Sequence, residues 1–261
     1  MNYDDETNID IVKDPSLDIK YGLTSGLTLD ATVNTDFAQV EADEERVNLS
    51  RFDMFLEEKR PFFLEGVGIF GASDPFSLPL FYSRRIGSAG DKEARILGGL
   101  KLTGKAGKQS LGLLSVQTDE VDETPSTNFS AFRVQRDIFR SSSAGIIFLN
   151  KSPLESGKDN QTFGADMRFN PRNELSISSL VAKTLTDDLK GRELAGQISG
   201  HWQAESWDMG ASYTDIQENF NAEMGFIPRT DIRDADLWGG QSFQIRKGIF
   251  RSSGGKAERV K

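Results

Sequence analysis

The sequence contains no cysteine, a single histidine (His201) and no long apolar run. Without cysteine the chain forms neither a disulfide framework nor a thiolate nucleophile, and one histidine cannot build a histidine-cluster metal site. No stretch of about 18 apolar residues is present that would make a transmembrane helix. The net charge of −9 disfavours nucleic acid as a partner, because phosphate binding requires clustered lysine and arginine. We therefore expect no metal, no cofactor and no nucleic acid.

What the sequence does contain is period-2 alternation of apolar and polar residues. It runs through 17–22, 27–34, 162–169, 193–202 and 207–214 and predicts strands with one apolar and one polar face. Several of these segments extend to about 10 residues, whereas strands of soluble proteins usually have about 5 or 6. About 10 residues is the length with which a tilted strand crosses a bilayer.

The breaks between the strands alternate in length, as in an up-and-down barrel with short turns at one end and long loops at the other. Short breaks fall at 24–26, 104–109, 139–142, 170–173 and 204–206, and longer polar breaks at 119–127, 150–160, 185–192 and 217–232. The pattern predicts an all-β, antiparallel, up-and-down barrel of the outer-membrane type, or a partial barrel, with about a dozen strands. A soluble antiparallel β protein of structural role is the alternative, because alternation alone does not separate the two.

Each strand should place its apolar parity outward and its polar parity inward. The segments 109–118 and 143–149 are apolar on both parities, which leaves their facing open. In a membrane barrel, the residues expected to face lipid are Phe163, Met167, Leu175, Ile177, Leu194, Ile198 and Met209. Those expected to face the lumen are Asp166, Arg168, Glu193 and His201.

Several longer stretches carry a resemblance to one bacterial family. They are LDIKYGLTSGLTLDATVNTDFAQVEADEERVNLSRF (17–52), EKRPFFLEG (58–66), LFYSRRIG (80–87), ILGGLKLTGKAG (96–107), FRVQRD (132–137) and AEMGFIPRTDIR (222–233). They resemble the barrel region of the family called domain of unknown function 5916, in which a carbohydrate-binding family 9-like domain precedes the barrel.

The resemblance implies an outer-membrane β-barrel of Gram-negative bacteria, in contact with membrane lipid, and it supplies no activity. By association with the sugar-binding domain, it suggests passage or uptake of a carbohydrate or another small solute. It also leads us to expect that 1–261 is a single barrel domain and a fragment. The signal peptide, the sugar-binding domain and the closing strands would then lie outside it.

The segment FLEEKRPFFLEG (55–66) is the candidate site. Among its carboxylates, Glu57 or Glu58 could act with Glu65 as an acid/base pair in a barrel-borne hydrolase. No nucleophile, histidine or metal motif accompanies them, so we expect no catalytic residue. The alternative that we favour is a charge network inside the lumen, where ion pairs are tolerated. Its members would be Glu57, Glu58, Lys59, Arg60, Glu65, Arg84 and Arg85.

The conformation of 41–66 stays open among strand, loop and helix. Residues 47–52 alternate like a strand, whereas Leu49, Phe52 and Leu56 have helical spacing. We favour a strand followed by a loop that enters the lumen. The acidic residues Glu41, Asp43 and Glu45 could bind Ca²⁺ through oxygen ligands, but a solvated acidic run is the simpler interpretation.

Overall fold

One large antiparallel sheet accounts for most of the chain. The computed structural model describes residues 16–35, 54–72, 74, 78–90, 92–139, 141–155, 158–187, 189–243 and 253–254. The sheet strands are β1 (Leu17–Gly22), β2 (Leu27–Thr35), β5 (Ile96–Ala106), β6 (Gln109–Thr118), β7 (Thr127–Phe139), β8 (Ser142–Pro153), β9 (Asn160–Arg172), β10 (Leu175–Thr186), β11 (Leu194–Gln203), β12 (Trp207–Ile216), β13 (Ile232–Phe243) and β14 (Ser253–Gly254). A separate small hairpin consists of β3 (Ser88–Ala89) and β4 (Lys92–Glu93).

Strands that are neighbours in the sheet follow one another along the chain, apart from the small hairpin between β2 and β5. Eleven of the described strands, β1, β2 and β5 to β13, form a continuous antiparallel sheet, and the two-residue β14 pairs with β13 at one edge. The predicted all-β, up-and-down antiparallel architecture of about a dozen strands is thereby confirmed. Among the described strands β1 pairs only with β2, so the described sheet is open.

Short turns and long loops alternate as predicted. The turns between β5 and β6, β7 and β8, and β9 and β10 are all tight, and the first of them uses Gly107 with a positive φ of 61°. The break expected at 170–173 lies slightly later, because β9 continues through Pro171 to Arg172 and β10 begins at Leu175. The connection from β2 to β5 lies at the same end of the sheet as the long loops.

Part of this long connection folds back over one face of the sheet. We call its described residues 54–72, 74 and 78–90 the inner segment, the face that it covers the inner face, and the opposite face the outer face. The inner segment contains a single helical turn, α1 (Pro61–Leu64), and two 3-10 helices at Val67–Phe70 and Ser83–Arg85. Pro61 suits the first turn of α1 because it lacks the backbone N–H that would be left unpaired there. Gly66, with a φ of 69°, supplies the left-handed conformation that redirects the chain after α1.

The loop 217–231 interlocks with the inner segment. The Tyr82 amide donates a hydrogen bond to the Met224 carbonyl at 2.7 Å, and the Phe226 amide donates to the Pro79 carbonyl at 2.9 Å. The Phe226 ring also contacts Tyr82 and Phe55, with ring centroids 5.4 and 5.3 Å apart. Backbone pairing and ring packing together fix these two connections to each other.

The hydrophobic core lies between the inner segment and the inner face. It contains Phe63, Phe70, Leu80 and Ile86 of the inner segment, Phe220, Ala222 and Met224 of the 217–231 loop, and the strand residues Ile96, Leu114, Val116, Phe129, Ala131, Ile147, Leu149, Leu180, Ala182, Ala195 and Ile216. Glycines on the inner face admit the larger side chains of the inner segment. A Cβ at Gly112 would lie 2.9 Å from a Phe70 ring carbon, and one at Gly164 would lie 2.7 Å from Leu80 Cδ1.

The outer face carries a row of exposed large apolar side chains. Five of the seven residues assigned to the apolar parity are exposed there, namely Phe163, Met167, Leu194, Ile198 and Met209. Leu175 and Ile177 are half-buried, beside a register shift between β9 and β10. In the segments 109–118 and 143–149, whose orientation the sequence leaves open, Leu114 and Ile147 lie on the inner face and Leu113 and Ile146 on the outer face.

Two of the four residues assigned to the polar parity, Asp166 and Arg168, lie on the inner face. Asp166 is buried, and Arg168 forms an ion pair with Asp74 of the inner segment at 3.0 Å. His201 Nε2 lies 2.8 Å from Asp208 Oδ1, and the Glu193 side chain is largely buried just before β11. None of the described helices has the length and apolar character needed to span a membrane.

The segment of uncertain conformation is only partly described. Residues 54–60 have no regular structure and lead into α1, so this part is a loop with one helical turn. The strand expected over 47–52 and the acidic run at 41–45 lie outside the described residues.

Candidate functional site between the inner segment and the sheet

Glu58 and Arg60 form a buried ion pair within the inner segment. Arg60 Nε lies 2.9 Å from Glu58 Oε1, and Arg60 Nη2 lies 2.9 Å from Glu58 Oε2, so the guanidinium binds both carboxylate oxygens. The Arg60 side chain is 6% exposed and the Glu58 side chain is 9% exposed. A bidentate pair of this geometry is among the stronger charge-assisted interactions in proteins.

Arg60 also holds together two distant parts of the inner segment. Its Nη1 donates to the Ile86 carbonyl at 2.7 Å, and its Nη2 donates to the Ser83 carbonyl at 2.7 Å. The guanidinium carbon lies 4.3 Å from the centre of the Phe63 ring. Arg60 thereby ties α1 to the second 3-10 helix, and it gives the Ser83 carbonyl a second donor beside the Ile86 amide, which lies 2.9 Å away.

The carboxyl group of Glu58 is held as an anion. Burial by itself would raise its pKa, but the hydrogen bonds and the charge of Arg60 outweigh this, and the net pKa lies below its ordinary value. A general acid requires the opposite shift, toward the working pH. Glu58 is therefore suited to anchoring the inner segment and poorly suited to donating a proton.

Glu65 lies on the other side of α1 and has a different partner. It pairs with Lys20 of β1, and the two side chains are 60% and 57% exposed. The hydrogen bond from Lys20 lowers the pKa of Glu65. Because Glu58 and Glu65 are each bound to a separate cation, the structure does not bring these two carboxylates together as an acid/base pair.

Arg84, Arg85 and Lys59 each make a contact with another part of the inner segment or with the 217–231 loop. Arg84 Nη1 donates to the Glu57 carbonyl at 3.3 Å, and Arg85 Nε donates to the Gly225 carbonyl at 3.3 Å. The Lys59 amide donates to Glu58 Oε1 at 3.0 Å. The structure thus brings Glu58 and Arg60 into direct contact and joins Arg84 to the backbone of Glu57. It directs Arg85 toward the 217–231 loop.

Two ion pairs on the inner face were not anticipated from the sequence. Lys101 of β5 lies 3.3 Å from Asp30 of β2, donates to the Phe62 carbonyl of α1, and sits 4.8 Å from the centre of the Phe62 ring. Arg133 of β7 binds Asp166 of β9 through two contacts, one of them at 3.0 Å, and both side chains are almost fully buried. The sequence signal that could have indicated these two pairs is the position of each charged residue on the polar parity of its strand.

A cleft of about 760 Å³ opens between α1 and the first strands of the sheet. Its charged lining consists of Asp18, Lys20, Asp30, Glu58, Lys59, Glu65 and Lys101, and Pro61, Phe62 and Leu64 supply an apolar wall. A cleft of this size falls within the usual range for small-molecule sites. The mixed lining is suited to a small polar compound.

These features define the class of the molecule as a large antiparallel β-sheet protein whose inner face is covered by its own polar and aromatic segment. The family described as "Domain of unknown function (DUF5916)" matches residues 1–111, and this match supports membership of the chain in that family. The matched part includes β1, β2, the inner segment and β5. Neither the curated proteins nor the solved structures contain a match to this chain.

Proposed function

We propose that the sheet is part of the wall of a bacterial outer-membrane β-barrel that passes a small polar solute. The observation that carries this proposal is the outer face, where large apolar side chains remain exposed on successive strands. They include Val33, Leu100, Leu113, Phe132, Ile146, Phe163, Val181, Ile198, Tyr213 and Leu237. A contiguous apolar surface of this extent marks a membrane or protein interface, and lipid is the partner we propose.

Strand length and strand direction support the same proposal. Strands β5 to β13 each have 10 to 13 residues, enough for a tilted crossing of a bilayer. In a sheet of eleven strands with antiparallel neighbours, the edge strands β1 and β13 run in the same direction. To close into an antiparallel barrel, the sheet needs an odd number of additional strands between β13 and β1, so that every neighbour remains antiparallel. β14, which pairs with β13, is the first of these additional strands.

The inner face supports a lumenal position for the inner segment. Buried charges such as Arg133, Asp166 and Lys101 all lie on this face, where a polar interior tolerates them. Facing lipid, the same charges would be costly. We therefore propose that the inner segment occupies the lumen and leaves the cleft beside α1 open to solutes. A carbohydrate as the solute rests only on the sugar-binding domain that precedes the barrel in related proteins.

A lysine scan with a matched control tests the membrane orientation. Val181 and Ile198 lie near the middle of their strands, whereas Leu154 lies in the loop after β8, and all three are more than half exposed. In lipid, Val181→Lys and Ile198→Lys should each lower the free energy of unfolding by about 2–4 kcal/mol, and Leu154→Lys by about 0–1 kcal/mol. Urea unfolding in phospholipid vesicles measures this difference.

A soluble protein predicts another result. Exposed apolar residues in water tolerate lysine, so all three variants would then stay within about 0.5 kcal/mol of the unsubstituted protein. That outcome, together with monodisperse behaviour in buffer without detergent, would refute the membrane orientation. Swelling of protein-containing liposomes in neutral sugars of increasing size tests passage, and no swelling with correctly inserted protein would refute it.

A further inference from the structure

Contact between the inner segment and the wall is uneven along the sheet. From β6 to β10 the two surfaces are in close contact, with Phe70 against Gly112 and Leu80 against Gly164. β5 also contacts α1, through Lys101 and Phe62, whereas at β1 and β2 the two surfaces separate and enclose the 760 Å³ cleft. A solute that crosses the lumen would meet a packed core at the first location and an open, polar lining at the second.

An exposed ion pair spans the cleft. Lys20 projects from the wall and Glu65 from the inner segment, and both side chains remain more than half exposed. Exposed pairs of this kind contribute little stability, because solvent screens them. By contrast, the Lys101–Asp30 pair lies within the wall, where the Lys101 and Asp30 side chains are 2% and 12% exposed.

We propose that the solute route runs through this cleft and that the Lys20–Glu65 pair is its gate. This inference rests on the passage function proposed above. The lining carries four carboxylates and three ammonium groups, an excess of one negative charge. Charged groups that line a pore set its ion selectivity. The lining therefore fits small neutral or zwitterionic polar solutes and gives a weak preference for cations over anions.

Cysteine labelling tests the route directly, because the chain has no cysteine of its own. In planar bilayers, a negatively charged methanethiosulfonate reagent should remove at least half of the conductance of a Glu65→Cys variant. The matched control is Glu218→Cys. Glu218 is 58% exposed and pairs with Arg192 at 2.9 Å, so it resembles Glu65 in exposure and pairing but lies in the 217–231 loop. Labelling of Glu218→Cys should leave the conductance unchanged.

Charge substitution supplies a second readout. Lys20→Gln should raise the ratio of cation to anion permeability, and Glu65→Gln should lower it, because each removes one charge of opposite sign from the route. Glu218→Gln should leave the ratio unchanged. Reversal potentials in a salt gradient measure all three.

The possible outcomes separate this inference from the passage function. A protein that conducts, but whose conductance ignores labelling at Glu65→Cys and whose selectivity ignores both substitutions, refutes the cleft as the route and leaves passage standing. An effect of equal size at Glu218 also refutes it, because the cleft would then be no different from the loop. A correctly inserted protein that conducts nothing refutes both.

Discussion

Replacing Arg60 by alanine tests whether the inner segment is a structural element. Arg60 is 5% exposed and donates to Glu58, Ile86 and Ser83. The substitution leaves the buried Glu58 carboxylate without its guanidinium and removes a donor from each of the two carbonyls. Removing one partner of a buried ion pair typically costs about 3–5 kcal/mol, since the other charge is left uncompensated.

We therefore expect Arg60→Ala to lower the free energy of unfolding by about 3–5 kcal/mol. A double variant, Arg60→Met with Glu58→Gln, removes the charge of both partners and should recover part of this loss. Arg233→Ala is the matched control. The Arg233 side chain is 74% exposed and pairs with Asp215 of the neighbouring strand at 3.1 Å. Because exposed pairs contribute little, its removal should change stability by no more than about 1 kcal/mol.

Urea unfolding in phospholipid vesicles, followed by tryptophan fluorescence, gives these free energies. All three tryptophans, Trp202, Trp207 and Trp238, lie on β11 to β13, so the signal reports on the sheet and not on the inner segment itself. A loss of less than about 1 kcal/mol for Arg60→Ala, the size typical of an exposed pair, would refute the structural role. A double variant no more stable than the single one would refute the attribution to the stranded carboxylate.

Three further predictions follow from the same contacts. Because the folded-state pKa of Glu58 lies below its ordinary value of 4.5, its contribution to stability is complete above that pH and is lost as pH falls through the lower pKa. Acid titration of unfolding should show this loss, and Glu58→Gln should lack it. Gly164→Ala should cost about 1–3 kcal/mol through its clash with Leu80. At Gly200 an added Cβ would meet no neighbouring atom within 4 Å. Gly200→Ala should therefore be neutral or stabilising by up to about 1 kcal/mol in the same assay. Arg133→Met should lower the free energy of unfolding by about 3–5 kcal/mol, because it leaves the buried Asp166 carboxylate without its partner, and the double variant Arg133→Met/Asp166→Leu should lower it less. Equal losses for the single and the double variant would contradict this explanation.

The strands could be predicted from the sequence because their pattern is local. The polar breaks delimit β6 (Gln109–Thr118) with both ends correct, and alternation at period 2 identifies most of the other strands to within a few residues. The alternation rule does not predict β13 as a strand. Its sequence IRDADLWGGQSF lacks regular alternation, because Gly239 and Gly240 interrupt the apolar parity.

The face of the sheet to which each side chain points could be predicted from the sequence only for strands with one polar and one apolar parity. The strands β6 and β8 are apolar on both parities because the inner segment buries their inner face while their outer face stays apolar. Leu114 packs in the core, and its neighbour Leu113 is 43% exposed. A strand covered on both faces by apolar surroundings loses its alternation, so the missing alternation was itself a sign of a covering layer. Sequence pattern alone does not say which segment provides that layer.

The candidate site was predicted in composition more than in geometry. The pairing of Glu58 with Arg60 could be anticipated, since the two residues are close neighbours in the chain. The contacts of Arg60 with Ser83 and Ile86, of Lys101 with Phe62 and of Glu65 with Lys20 join residues that are distant in sequence. Such contacts depend on how the inner segment lies on the sheet, and neither periodicity nor charge spacing encodes that placement.

Arg60 and Glu65 stand on either side of α1 and divide the roles proposed for the inner segment. The side of α1 that bears Arg60 is buried and joined to the second 3-10 helix, so a change there alters the energy of the whole segment. The side that bears Glu65 faces the cleft and is mostly solvent-exposed, so a change there alters the lining at little cost to folding. Arg60→Ala should therefore reduce stability and conductance together, whereas Glu65→Gln should shift ion selectivity while urea unfolding stays close to that of the unsubstituted protein. If Glu65→Gln instead unfolds as readily as Arg60→Ala, then the pair with Lys20 is a structural anchor and cannot be a gate.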